Sequence, residues 1–288
     1  MSGLLWIFFS SPVIGNPGFS PQQNSMKLGE YENFSPDGDI RRFAGETLYF
    51  DISLLIFDNA AQAKVSFFED KGKFKSILVA ETKGFVGFFT SYRKHIYKST
   101  FEIIEGGRRV RTTKFERKVI VGDDVERTVH YMDYKSRQHH WFKYSNETLK
   151  EQNSEPLPEN VFFDDILAAF YNFRNGVYGK LRKGQNYTIS TIPEKSMKYI
   201  LAYINTDQEA EKFQKEEDNE MGGSLLLKVV IPKDVFKTET GELIFWTSKH
   251  FIPLETTVKN YVLLGHLNAR FAKRVYVGSP KNIALSSR

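Results

Sequence analysis

One stretch, residues 156–176 (PLPENVFFDDILAAFYNFRNG), has the apolar spacing of an amphipathic helix, whereas strand patterns surround it on both sides. Its apolar stripe consists of Phe163, Ile166, Leu167, Phe170 and Phe173 beside Arg174. Asp164 and Asp165 suit a helix N-terminus, where a carboxylate caps free N–H groups, and Gly176 suits the left-handed position after the last turn. We therefore predict one central helix over residues 160–175 that packs on two β-rich halves.

Strand patterns fill residues 43–148 and 181–277. Leu48, Phe50, Ile52 and Leu54 alternate with more polar residues, so one face of this strand is predicted to be buried. The 25 Phe and 14 Tyr residues are an aromatic load typical of strands. Short turns such as Gly106-Gly107 indicate an antiparallel meander. We predict an all-β fold, a large antiparallel sheet assembly that forms either a half-open barrel or two curved sheets around the helix.

Three segments depart from simple alternation. Residues 85–92 (FVGFFTSY) are interpreted as a core strand or as the wall of a hydrophobic cleft. Residues 206–223 are acidic and nearly free of apolar residues, which predicts a solvated loop or short exposed helix; the alternative is an acidic tab that binds a partner. Pro253 indicates the start of a strand or an edge strand.

Residues 1–40 combine a signal-like segment with an irregular arm. Leu4–Phe9 resembles the apolar part of an export signal, although no basic residue precedes it; the alternative is a disordered or docked arm. Export predicts a periplasmic or otherwise exported protein, with a single folded domain over residues 41–288. No later apolar run approaches the ~20 residues of a spanning helix, so we predict no transmembrane span.

The order of sequence landmarks resembles the bacterial domain-of-unknown-function family 3108. The shared landmarks are GETLYFDIS (45–53), YRKHIYKSTFE (92–102), DILAAFY (165–171), GKLRKGQNYTI (179–189) and GELIFWTSKHFIPLETTV (241–258). The resemblance covers residues 41–277 and implies an exported, β-rich protein of Gram-negative bacteria with one helix between its β-rich halves. The motifs are structural, and the acidic 206–223 segment matches none of them. The resemblance therefore implies no activity.

Catalytic and metal-binding signatures are weak. The chain has no cysteine, which excludes disulfides, thiolate nucleophiles and cysteine-ligated metals. It has no G-x-S-x-G elbow, no Walker A loop and no G-x-G-x-x-G. Asp164 and Asp165 could be paired catalytic carboxylates, but adjacent helical side chains diverge by about 100°, which favours capping. His139 and His140, near His130 and Asp133, would point to opposite faces of a strand. We predict no enzyme, no cofactor and no metal.

Charge offers one further candidate. The 40 basic and 35 acidic residues give a net charge of +5 that is scattered along the chain, which argues against nucleic acid as a partner. The densest basic run spans residues 108–118, where alternation places Arg109 and Arg111 on one face. These two arginines could contact the phosphate of an anionic head group; the alternative is a solvated strand that protects a sheet edge.

The aromatic excess leads to the function hypotheses. Aromatic side chains either fill the core or line an apolar cavity between sheet and helix. In the first hypothesis, a non-catalytic cell-envelope protein binds a hydrophobic or lipid-like ligand in that cavity, lined by Phe88, Phe163, Ile166, Phe170 and Trp246, with Arg109 and Arg111 near an anionic head group. The second is an envelope scaffold or assembly factor that binds a protein partner through its sheet edges. An envelope-polymer hydrolase is the least favoured hypothesis.

Overall fold

A single antiparallel sheet of fourteen strands dominates the computed structural model, which describes residues 37–54, 56–194, 197–216, 223–233, 235, 238–259 and 266–277. The signal-like segment and most of the irregular arm predicted for residues 1–40 lie outside these residues. The strands are β1 (Glu46–Leu54), β2 (Phe57–Asp70), β3 (Lys73–Thr82), β4 (Lys94–Ile104), β5 (Arg109–Val121), β6 (Asp124–Asp133), β7 (Gln138–Ser145), β8 (Thr148–Pro156), β9 (Gln185–Glu194), β10 (Met197–Ile204), β11 (Leu225–Val230), β12 (Glu242–Thr247), β13 (Pro253–Val258) and β14 (Leu267–Tyr276).

Two meanders meet at the centre of the sheet. The strand order is β8-β7-β6-β5-β4-β3-β2-β1-β14-β13-β12-β11-β10-β9, so the first strand pairs with the last one. Their register runs from Glu46 opposite Tyr276 to Leu54 opposite Leu267. The two edge strands, β8 and β9, are therefore the ones that flank the central helix in sequence, and the connection between them carries that helix.

The sheet curls around the central helix α2 (Ile166–Arg174). Strands β5 and β9 are ten positions apart in the strand order, which corresponds to roughly 48 Å at about 4.8 Å per strand. Helix α2 nevertheless contacts both of them, and also β3 and β4, although a helix with its side chains is only about 10–12 Å wide. The all-β prediction is confirmed, as one open, curled sheet rather than two curved sheets.

The central helix is shorter than the predicted 160–175 because Asp165 caps it. Asp165 has extended backbone angles and accepts hydrogen bonds from the N–H groups of Leu167 and Ala168. Residue 164 lies outside the helix, and its N–H donates to the Ser190 carbonyl of β9. At the other end Gly176 has φ +66°, as the left-handed position requires. The predicted aspartate cap and the predicted left-handed glycine are thus both confirmed. The helix itself begins at Ile166 instead of residue 160.

Two further helices correct the expectation of a single one. Residues 85–92 do not form the predicted strand: Gly84–Phe89 is a short helix, α1, which begins at a glycine with φ +52°. The acidic segment contains an exposed helix, α3 (Asp207–Glu216), one of the two structures predicted for it. Its Ala210 and Phe213 cover Trp246 and its neighbours on the outer face of β11 and β12.

Side-chain alternation builds the core as predicted. In β1 the side chains of Leu48, Phe50, Ile52 and Leu54 are buried on the concave side. Pro253 begins β13, which pairs with strands on both sides and is not an edge. Among the described residues, no helix is long and apolar enough to cross a membrane.

Candidate functional site

An apolar cavity of about 290 Å³ lies between α2 and the concave face of the sheet. Strands β1 to β4 and β9 to β14 contribute to its wall, together with α2. Its lining comes from residues as distant in sequence as Phe50 and Ala269, because the curled sheet brings both meanders onto the same helix. The cavity is therefore a product of the whole fold.

The helix contributes Ile166, Phe170 and Phe173, which follow the i, i+4, i+7 spacing of one helical face. All three keep part of their surface accessible, whereas Tyr171 is completely buried in the main core. Protein interiors normally leave few voids larger than a water molecule. The apolar side of this helix is thus packed less densely than its other side.

The sheet leaves room for the cavity because several inward positions carry alanine. The alanines that line it from the sheet are Ala63, Ala80, Ala202 and Ala269. Larger apolar side chains alternate inward on β12, where Leu243 and Phe245 line the cavity. Small residues at these positions keep the strands' side chains from meeting the helix, so space remains between them.

Few polar groups reach the cavity, and protein atoms engage the two most polar of them. Arg174 makes a bidentate ion pair with Glu46, with Nη1–Oε2 at 2.6 Å and Nη2–Oε1 at 3.0 Å, and both side chains are buried. Its guanidinium also lies 5.2 Å from the centre of the Phe170 ring. His95 Nδ1 lies 3.0 Å from the Tyr97 hydroxyl, which donates to the Val235 carbonyl. The lining therefore selects an uncharged, apolar occupant.

A second cavity of about 310 Å³ adjoins the first and lies under α1. Ile52, Ala80, His95 and Leu267 line both cavities. The residues around α1 that line only the second are Val86, Phe89, Thr90, Ser91 and Arg93. The two cavities thus share part of their wall, and the second, which also has polar lining residues such as Glu81 and Arg93, lies at the end of the sheet where α1 is found.

A buried polar cluster lies on the opposite side of α2. The carboxylate of Asp165 accepts hydrogen bonds from the hydroxyls of Ser99 at 2.8 Å and Thr112 at 2.6 Å, in addition to the two N–H groups that it caps. Burial raises its pKa, and the hydrogen bonds from Thr112 and Ser99 oppose this shift. Asp165 thus joins the helix N-terminus to β4 and β5.

Asp164 makes a separate set of contacts. Its Oδ2 atom accepts from Arg109 at 2.8 Å, from the Tyr178 hydroxyl at 2.6 Å and from Asn172 Nδ2 at 3.2 Å. Burial raises the pKa of Asp164 to about 6, against the opposing charge of Arg109. Because the partners of Asp164 and Asp165 differ, these two neighbours do not converge on one point, as the capping interpretation expected.

The structure brings only part of the predicted site together. Ile166 and Phe170 line the cavity. Phe163 is buried beside His139, with ring centroids 6.4 Å apart, and does not line it. Trp246 packs under α3 on the outer face because Phe245, its neighbour in the strand, takes the inward position. Phe88 is exposed on α1.

The two predicted arginines also lie away from the cavity. Arg109 is paired with Asp164, and Arg111 donates to Glu102 Oε2 from Nη2 at 2.6 Å. Both guanidinium groups lie over the Phe162 ring, at 5.4 and 5.3 Å from its centre. They therefore serve the protein's own carboxylates and aromatic rings, and an anionic head group inside the cavity would not meet them.

His130 and His139 form a short chain of hydrogen bonds that ends at Glu155. His130 Nδ1 lies 3.0 Å from His139 Nε2, and His139 Nδ1 lies 3.0 Å from a Glu155 oxygen. Burial lowers the pKa of His130 to about 3, so it is neutral at physiological pH. In the part of the chain that the structure describes, no three His, Asp or Glu side chains are grouped so as to hold a metal ion.

Sequence reasoning missed Phe245, Phe173 and His95 as lining residues. Strand alternation was the available signal for Phe245, because it shares a face with Leu243 and opposes Trp246. Phe173 belongs to the predicted apolar stripe of the helix, but the predicted set of lining residues does not include it. His95 had no sequence signal. Searches with this chain against protein-family models, curated proteins and solved structures gave no match.

Proposed function

We propose that this protein is a non-catalytic binder of a hydrophobic or lipid-like molecule, which occupies the cavity between α2 and the sheet. The observation that carries the proposal is the nearly uninterrupted apolar lining of a cavity of about 290 Å³ that adjoins a second one of about 310 Å³. Ligand pockets are concave and mostly apolar, with a few polar groups. An acyl or isoprenoid chain has the chemistry that this lining accepts.

The apolar surface of the cavity supports an apolar occupant. Burial of apolar surface is worth about 25 cal/mol per Å². Water inside the cavity would find few hydrogen-bond partners along its lining. A bound apolar molecule would cover this surface and release that water.

The proposal places the protein in the cell envelope. Its basis is the signal-like segment at residues 4–9 and the resemblance to an exported family. A periplasmic carrier needs to shield an apolar chain from water, and a curled sheet around a helix provides such a shield. A charged head group would remain outside, because Arg174 is already paired with Glu46 inside the cavity.

The first test is native mass spectrometry of the full chain purified from its membrane-containing lysate, followed by organic extraction. Uptake of a fluorescent fatty-acid probe is then measured for two substitutions on β14. Ala269→Phe fills the cavity, whereas Ala272→Phe places the same ring on an exposed position. We expect the Ala272 variant to bind like the wild type and the Ala269 variant to bind at least about tenfold more weakly, a change of about 1.4 kcal/mol.

Three outcomes would contradict the proposal. One is a clean apo mass together with no uptake of the probe by the wild-type protein. Another is equal uptake by the Ala269→Phe and wild-type proteins. If Ala269→Phe does not fold, Ala202→Leu provides a smaller obstruction from β10, and its unchanged uptake would count equally against the cavity.

A scaffold function is the second candidate, and the edge strand β8 favours it. Most of its residues are exposed and its outer backbone is available for an added strand from a partner. However, β8 carries Lys150, Glu151 and a terminal Pro156, which are features that protect sheet edges from such pairing. A pull-down from an envelope lysate in which a β8 variant blocked by proline substitutions captures the same partners as the wild type would argue against this role.

A further inference from the structure

An aromatic tip projects from the end of the sheet that contains α1. It consists of Phe57, Phe85, Phe88, Phe89 and Tyr92. The three phenylalanines of α1 are 60% to 70% exposed. Their rings contact one another, with centroids 4.4 Å apart for Phe85 and Phe89 and 5.6 Å apart for Phe88 and Phe89. Scattered exposed apolar residues are ordinary, but a contiguous aromatic patch marks an interaction site.

The fold holds this tip in place from below. Val86 is buried against Leu54 and Ala60, so α1 is anchored by its one inward side chain. Tyr92 folds back over Gly87, where a β-carbon would lie only 2.9 Å from the tyrosine ring. Phe57 of β2 supports Phe85, with ring centroids 5.6 Å apart. The outward direction of the phenylalanines therefore follows from packing beneath them.

The charge of the segment that carries α1 favours a bilayer with anionic head groups. The segment 83–94 (KGFVGFFTSYRK) contains three cations and no carboxylate. Lys83 donates to the neutral side chain of Gln62, and Lys94 is the cation that pairs with Glu81, at 3.0 Å. Aromatic rings flanked by Lys and Arg are typical of segments that lie in the membrane interface, where the rings enter the head-group region and the cations meet anionic lipids.

The tip also lies at the cavity system. Phe89 is both a tip residue and a lining residue of the second cavity, and Arg93 at the tip's flank lines that cavity too. The second cavity shares four lining residues with the first. A surface that contacted the tip would therefore cover the second cavity, which shares part of its wall with the cavity at α2.

We propose that the aromatic tip docks this protein reversibly on an anionic lipid bilayer, with Phe85, Phe88 and Phe89 in the head-group region and the second cavity facing the membrane. Docking itself does not require a ligand. The route that it implies, in which an apolar chain moves between the bilayer and the cavity under α1, rests on the proposed function.

The test is co-sedimentation of the full chain with vesicles of phosphatidylethanolamine and phosphatidylglycerol. Phe88→Ser/Phe89→Ser removes two rings that no core residue needs. Tyr199→Ser/Leu201→Ser is the matched control, because it removes two exposed apolar side chains, 48% and 46% accessible, from β10. We expect the tip variant to partition at least about tenfold more weakly and the control to match the wild type, since burial of one large apolar side chain is worth about that factor.

Two further variants identify the surface. Lys83→Gln/Arg93→Gln should weaken binding to the anionic vesicles and leave weak binding to pure phosphatidylcholine vesicles unchanged. Phe88→Trp keeps an aromatic ring, and its added fluorescence should be quenched by brominated lipids, beyond the signal of the wild-type tryptophans. This variant also tests the tip if the serine variant does not fold.

Several results would overturn docking. Wild-type protein that stays in the supernatant would do so, and so would equal sedimentation of the tip variant and the control. A dimer in light scattering that Phe88→Ser/Phe89→Ser dissociates, without vesicle binding, would show that a second copy covers the tip. Vesicle binding without uptake of the fatty-acid probe would preserve docking and reject the ligand, so the two proposals fail separately.

Discussion

The two sides of α2 differ in how completely they are packed. On the polar side, Asp165 has four hydrogen-bond donors, and the Asn172 side chain pairs with both the N–H and the carbonyl of Val110, at 3.0 and 2.8 Å. On the apolar side, Ile166, Phe170 and Phe173 face a cavity. The polar contacts fix the helix on β4 and β5, so its position does not depend on a filled apolar interface. These polar contacts can therefore hold α2, one wall of the cavity, in place while its apolar side is not packed against the sheet.

Asn175 extends the polar attachment beyond the last turn. Its Oδ1 accepts from Arg42 at 2.6 Å, and its Nδ2 donates to the carbonyls of Arg108 at 2.6 Å and Gly38 at 2.8 Å. Both ends of the helix are thus attached to the first meander. The second meander, β9 to β14, provides most of the opposite wall of the cavity.

The largest loss of stability is expected at the buried ion pair between Arg174 of α2 and Glu46 of β1. Glu46→Leu removes the bidentate carboxylate from the buried Arg174, and we expect a loss of about 3–5 kcal/mol in the free energy of unfolding, because breaking a buried ion pair by removal of one partner is strongly destabilising. Urea unfolding measures it. Glu46→Leu/Arg174→Met should recover much of the loss. A loss below about 1 kcal/mol for the single variant would mean that the pair does not hold this end of the helix.

The second largest loss of stability is expected on the polar side of α2. Asp165→Ala removes the N-cap and leaves the hydroxyls of Ser99 and Thr112 without their acceptor, so we expect a loss of about 2–4 kcal/mol in urea unfolding. Asp207→Ala, at the start of the exposed helix α3, is the control and should leave the unfolding midpoint nearly unchanged. Equal losses of stability in Asp165→Ala and Asp207→Ala would contradict the idea that polar contacts hold α2 on the sheet.

A pH dependence tests Asp164. Folding raises its pKa from 3.8 to about 6, so the folded state binds more protons than the unfolded chain between these values. Through this group, the free energy of unfolding falls as pH rises from 3.8 to 6 and is constant above 6. Asp164→Asn should lack this contribution. Asp165, His130 and His139 titrate in both proteins, so the difference between the two stability profiles is the measurement. A flat difference would contradict the raised pKa.

The smallest effect is expected on the apolar side. Phe170→Leu should cost about 1 kcal/mol or less, because leucine keeps most of the apolar volume and one side of the ring lines the cavity instead of packing on other side chains. Phe67→Leu is the comparison, since that ring is completely buried, stacks on Phe101 and packs at a tilted angle against Tyr171. Thermal unfolding of both proteins without ligand should separate them. Equal losses would show that the cavity side is packed as tightly as the core.

The sequence determined the local features of this protein. Hydrophobic periodicity predicted the central helix, and short-range chemistry predicted its caps, because Asp165 and Gly176 act within one turn of the backbone. Alternation likewise predicted the buried face of β1. The strand interpretation of residues 85–92 is wrong because their aromatic density resembles that of a core strand, whereas Gly84 and Gly87 permit a short helix that turns the phenylalanine rings outward.

Only the tertiary structure decided where the cavity lies and which residues line it. Composition could not distinguish Phe245, which faces inward, from Trp246, which α3 covers, because burial on either face of a strand looks alike in sequence. The pairing of β1 with β14 joins residues more than two hundred positions apart, and the curvature of the sheet then brings both meanders onto α2. Such long-range geometry depends on the register of every strand at once, so no local pattern encodes it.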